Sequence, residues 1–123
     1  MKNYVEYKGL KLKITAARAI EIEDKLGGGI AEKLQNSTDE IRTMSTILAS
    51  AIPDGGYEER KEKALAIYDE MIDEGKNISD YQFLVSDILV AAGFIRGEVV
   101  ALQKKIVEKQ AAALAKSVEP SQN

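Results

Sequence analysis

The sequence predicts a mainly α fold with a short N-terminal β-hairpin (α+β), built as a compact bundle of about four helices plus a long C-terminal helix. Three observations carry that prediction. Residues 4–14 alternate apolar and polar side chains at period two on either side of Lys8-Gly9. From residue 15 onward, apolar residues recur at the three- and four-residue intervals of amphipathic helices, punctuated by glycine and proline. Residues 98–117 then form one long, alanine-rich pattern with a single apolar stripe.

Taken in order, residues 5–7 and 10–14 read as two strands, with Lys8-Gly9 suited to a tight turn. Leu10, Leu12 and Ile14 point to one side, and Lys11 and Lys13 to the other. A two-stranded hairpin is marginal alone in water, so its apolar face must pack on helices or pair with another chain. Thr15 is suited to cap a helix through Leu26 whose inner side is Ala16, Ala19, Ile20, Glu23 and Leu26, with Ile22 at its edge. Glycines 27–29 end that helix, and residues 30–34 add a short helical turn.

Ser37 and Glu40 sit in the reciprocal positions of a capping box. The helix they open has Ile41, Met44, Ile47, Leu48 and Ala51 as its stripe and stops at Pro53-Asp54-Gly55-Gly56. A charged helix follows over residues 57–74, with Ala64, Leu65, Tyr68, Met71 and Ile72 inward. Ser79 and Gln82 suggest a second capping box for a helix reaching residue 94. That helix is the most apolar in the chain and is expected at the buried centre of the bundle. In the last helix Val100, Val107 and Leu114 repeat at seven, flanked by Val99, Leu102 and Ile106. Residues 1–96 thus read as the hairpin plus helical core, 97–118 as a C-terminal helix and interaction arm, and 119–123 as a frayed tail.

Composition narrows the chemistry. The chain has 123 residues, of which 45% are hydrophobic and 30% charged, the range of an ordinary globular domain. Its net charge of -3 arises from 17 basic and 20 acidic residues that are interleaved, so no basic stripe points to nucleic acid. Cysteine and histidine are both absent, which removes disulfides, thiolate and imidazole metal ligands, and every His-dependent nucleophile relay. The expectation is a protein that is not an enzyme and needs no cofactor. No apolar leader follows Met1, and the longest apolar run, residues 88–95, is far short of the ~20 residues of a membrane helix. A cytoplasmic location is expected.

Candidate sites read mainly as structure. Glycines 27–29 lack the Lys-Ser/Thr of a phosphate-binding loop, so they read as a helix cap. Asp69, Glu70, Asp73 and Glu74 do not have calcium-loop spacing, and they read as a solvated helix face, as do Glu21, Glu23 and Asp24. Lys104, Lys105 and Lys109 flank an apolar stripe, but Glu98 and Glu108 and the lack of an aromatic anchor favour a protein partner over a membrane surface. Two features point to assembly: the edges of the hairpin, and the stripe of the last helix, which either packs back on the core or protrudes to meet another chain. The expected contact residues are Val99, Leu102, Ile106 and Val107.

The order of these elements resembles the tail assembly chaperones of long-tailed bacteriophages, especially phages and prophages of Gram-positive hosts. Tyr7-Lys-Gly-Leu-Lys-Leu-Lys-Ile14 is similar to the family's opening hairpin, and Ala19-Ile-Glu-Ile-Glu-Asp-Lys-Leu-Gly-Gly28 to its first helix. Met44-Ser-Thr-Ile-Leu-Ala-Ser-Ala51, Tyr68-Asp-Glu-Met-Ile-Asp-Glu-Gly75 and residues 85–94 resemble the segments that follow. The resemblance spans residues 4–95, rests on order and spacing more than on any one motif, and leaves 96–123 without a family signature. It implies a non-enzymatic role in virion morphogenesis: binding the tape measure protein, helping to recruit tail tube subunits, self-associating as a homo-oligomer, and leaving before the particle is finished. Two other readings stay open. One is a structural tail component retained in the virion, which would be richer in β structure. The other is a small helical adaptor or regulatory module.

Overall fold

The hairpin forms where the alternation places it. In the computed structural model, which describes the backbone of residues 2–36 and 40–118 and the side chains of 2–33 and 40–113, strand β1 (Val5–Tyr7) pairs antiparallel with β2 (Leu10–Leu12). The register sets Val5 opposite Leu12 and Tyr7 opposite Leu10. Lys8 and Gly9 both take positive φ, 46° and 86°, the pairing that matches the twist of a two-residue hairpin turn. The second strand stops at Leu12 rather than at residue 14, because the Lys13 N–H leaves the ladder and donates to the Ala51 carbonyl at 3.0 Å. Leu12 and Ile14 are nevertheless both buried, so the alternation persists past the last ladder bond. The Lys8 ammonium reaches the carboxylates of Glu70 and Glu74, which ties the turn to a helix far along the chain.

Six helices follow among the described residues: α1 (Ala16–Leu26), α2 (Ile30–Asn36), α3 (Glu40–Ala51), α4 (Tyr57–Asp73), α5 (Ile78–Ala91) and α6 (Gly97–Val118). The fold is thus mainly α with a short N-terminal hairpin, as the sequence predicts. Thr15 caps α1, its hydroxyl accepting from the Arg18 N–H at 3.3 Å. The capping box expected to start at Ser37, the side chain of Leu114 and the tail expected at 119–123 lie outside the described residues.

The buried faces differ from the expected ones in three helices. In α1 the wholly buried residue is Ile22, while Ile20 is 58% exposed. In α4 the inner side is Arg60, Ala64, Ile67 and Met71, and Leu65 and Ile72 face outward. The centre of the bundle is α3 rather than α5. Residues 43–51 of α3 are buried on every side, and α1, α4 and α5 all pack against it. Small side chains make that possible, since Ser45, Ala49, Ser50 and Ala51 let neighbouring helices approach closely. Two of the buried hydroxyls are satisfied within the helix, as Ser45 and Thr46 donate to the Arg42 carbonyl at 3.1 and 2.8 Å.

Helix α5 begins two residues earlier than the expected box. Asn77 is the N-cap, its side-chain oxygen accepting from Ser79 and Asp80 N–H groups, while the Asp80 carboxylate accepts from the Asn77 N–H at 2.9 Å. Asn77→Ala should therefore cost about 1 kcal/mol in urea unfolding, whereas Ser79→Ala should stay within roughly 0.5 kcal/mol of the parent. The helix ends at Ala91 rather than residue 94. Gly93, at φ 88°, lets the Phe94 N–H donate back to the Leu89 carbonyl at 2.9 Å and its own N–H to that of Val90 at 3.0 Å. Buried Tyr81 donates to the Ala64 carbonyl at 2.8 Å and meets Tyr68 edge-to-face at 5.1 Å, which locks α5 to α4.

One polar cluster holds α1, α3 and α4 together. The Arg60 guanidinium, itself buried, donates to both oxygens of the Glu21 carboxylate at 2.8 and 2.9 Å, to the Ala49 carbonyl at 2.9 Å and to the Gly55 carbonyl at 2.9 Å. Ser50 Oγ donates to the same carboxylate at 2.8 Å. Glu21, expected on a solvated face, is instead the inner partner of this cluster. Beside it the Arg18 guanidinium donates to the carbonyls of Ser50, Ile52 and Pro53, so a cation closes the C-terminal end of α3.

Candidate partner-binding groove

Helix α6 packs against α5 along one side. Val100 is its anchor, the one α6 side chain that is fully buried among those described. One turn on, Lys104 donates to the Asp87 carboxylate at 3.2 and 3.3 Å and lies 5.5 Å from the centre of the Phe83 ring. Both charged partners of that pair are substantially exposed, so it fixes the register of α6 on α5 more than it adds stability. Of the two possibilities left open by the sequence, the structure shows α6 laid back on the core through its first three turns.

Among the described residues nothing covers the rest of the apolar arc. At ~100° per residue, Val100, Lys104 and Val107 share the side that faces α5, Val99 and Ile106 turn away from it, and Leu102 turns further still. Val99, Ile106 and Val107 form one wall of a groove of about 540 Å³ whose other walls come from α3 and α5. Met44 of α3, Phe83 and Leu89 of α5, and Ile95 of the α5–α6 connection supply its apolar lining. Glu40, Gln82 and Gln103 add polar groups to it. Val99 is 49% exposed and Ile106 47%. Leu102, 60% exposed, does not line the groove and stands on the outer ridge of α6.

Three of the four expected contact residues are therefore brought together, and one is not. The opposite wall was missed in the sequence. Phe83 falls off the Tyr81, Leu84, Val85 and Ile88 face of α5, and an aromatic residue outside the buried stripe was the available signal for a second apolar surface. Among the described residues no group of His, Cys, Asp or Glu is arranged to hold a metal ion, and no helix is long and apolar enough to cross a membrane. The groove can bury an apolar stripe of another chain. No protein family, curated protein or solved structure matches this chain.

Proposed function

We propose that this protein is a non-enzymatic phage tail assembly chaperone that acts in the cytoplasm of the bacterial host. It binds the tape measure protein, helps recruit tail tube subunits to it, and works as a homo-oligomer without nucleic acid or membrane. The observation that carries this reading is the half-exposed apolar groove between α3, α5 and α6. The resemblance of residues 4–95 to that family supplies the client. A long helical client exposes a stripe of apolar residues until the tube closes around it, and a groove of this kind covers such a stripe while the charged outer faces of α4 and α6 keep the complex in solution. Each large apolar side chain buried there contributes about 1.5–3 kcal/mol before the cost of ordering both partners.

A chaperone and a retained tail component differ in where they end up. Quantitative mass spectrometry of infected-cell lysate and of purified virions should find the protein in the first and not in the second. Its presence in purified virions at the copy number of a tail protein would favour the retained component instead. Absence from both tail intermediates and virions would favour an adaptor.

A further inference from the structure

We propose that the cleft between α1, α2, α3 and α4 is a second docking site, independent of the α6 groove, and that its occupant is an acidic amphipathic segment of a partner protein. The cleft measures about 990 Å³. Four cations line it, one from each of the four helices: Lys25, Lys33, Arg42 and Lys61. Among the described residues none of the four forms an ion pair, although the chain as a whole carries three more acids than bases. Lys25 instead lies 4.1 Å from the centre of the Tyr57 ring. Among the described residues Glu32 and Glu58 are the acids on the lining, so the described cations outnumber them two to one. An excess of unpaired positive charge on an acidic protein marks a surface complementary to an anionic partner.

The same lining argues for an amphipathic segment over a small anion. Leu26, Ile41 and Leu65 lie along it, and Ile41 and Leu65 are 38% and 37% exposed. Isolated apolar exposure is ordinary, but here two exposed apolar residues and the half-buried Leu26 share one cleft with the cations. A segment with alternating acidic and apolar faces meets both features at once. The unexpected outward turn of Leu65 on α4 is explained by the same surface.

The probe is a fluorescein-labelled helical peptide of Glu and Leu with an amphipathic pattern, about five turns long. Its charge-inverted Lys/Leu counterpart and inorganic phosphate serve as comparisons. Anisotropy should show binding of the Glu/Leu peptide alone, weakening steeply between low salt and about 0.5 M salt. Amide shifts in the NMR spectrum should cluster at Lys25, Ile41, Lys61 and Leu65. The exposed pair Arg42→Glu with Lys61→Glu should weaken binding by about tenfold or more, and Lys33→Gln with Lys61→Gln, which adds no charge, gives the same direction with a smaller loss. Leu102→Glu should change nothing. Equal binding of the inverted peptide, shifts clustered on α5 and α6, binding of phosphate with the same footprint, or no binding at millimolar peptide would each overturn the proposal.

Discussion

Arg60→Met should lower the unfolding free energy by about 3–5 kcal/mol, the largest loss expected of any single substitution in this chain. The methionine fills similar space but leaves the Glu21 carboxylate partly buried without its two charge-assisted bonds, and frees the carbonyls of Ala49 and Gly55. Breaking one side of such a pair costs more than the pair contributes, because the remaining charge is left without either water or a partner. A second substitution separates those contributions. Glu21→Leu in the Arg60→Met background removes the orphaned charge and should recover a large part of the loss, giving a coupling energy well outside additivity in a double-mutant cycle. Urea unfolding of the four proteins measures it.

The same cluster gives a pH signature. The Arg60 guanidinium, helped by the Ser50 hydroxyl, holds the Glu21 carboxyl down to about 2, against an ordinary value of 4.5. A carboxyl depressed by folding adds stability that is fully present above its unfolded value and is lost as pH falls through its folded value. The parent protein should therefore lose stability progressively from about pH 5 down to about pH 2. In Arg60→Met the sign reverses for this residue, because protonation of an unpaired buried carboxylate relieves its burial. The gap between parent and variant should narrow on acidification. A gap that stays constant from neutral pH to about pH 3 would mean that Glu21 is not held by Arg60.

How much of this was legible before the structure depends on what each residue's signal competes with. The hairpin was readable because alternation at period two and a Lys8-Gly9 turn agree with each other. The Thr15 cap and the existence of α6 were readable for similar reasons. The inward faces of α1 and α4 were not, because each helix carries apolar residues at several phases, and only packing decides between Ile20 and Ile22 or between Leu65 and Ile67. Helix α3 looked half-polar because serine and threonine count against burial in a pattern, yet their small size is what admits three neighbouring helices. Arg60 sits within Glu-Glu-Arg60-Lys-Glu-Lys63, where nothing local separates a buried guanidinium from a solvated one. For the groove, one wall lay within a single stripe and was visible, while the wall from Met44, Phe83 and Ile95 required the tertiary fold.

The second large effect concerns that groove. Val99→Glu with Ile106→Glu places two carboxylates in the wall of an apolar groove, and should weaken association with a helical client by at least about a hundredfold through unpaired, desolvated charge. Both positions are roughly half exposed in the free protein, so the fold should tolerate them with a change in stability near or below about 1 kcal/mol. Leu102→Glu, on the ridge outside the groove, distinguishes a groove-bound client from one that grips α6 from outside. It should cost much less than the groove pair. A larger loss from Leu102→Glu would move the contact to the outer face of α6.

Co-expression with the tape measure protein that the proposed function names as client, followed by size-exclusion chromatography with light scattering, tests the central claim most directly. The parent chain should elute with the tape measure protein in a soluble complex of defined mass, and the Val99→Glu, Ile106→Glu protein should elute alone at its own mass with an unchanged circular dichroism spectrum. Elution of the parent chain apart from the tape measure protein, or an unaltered complex with the groove variant, would contradict it.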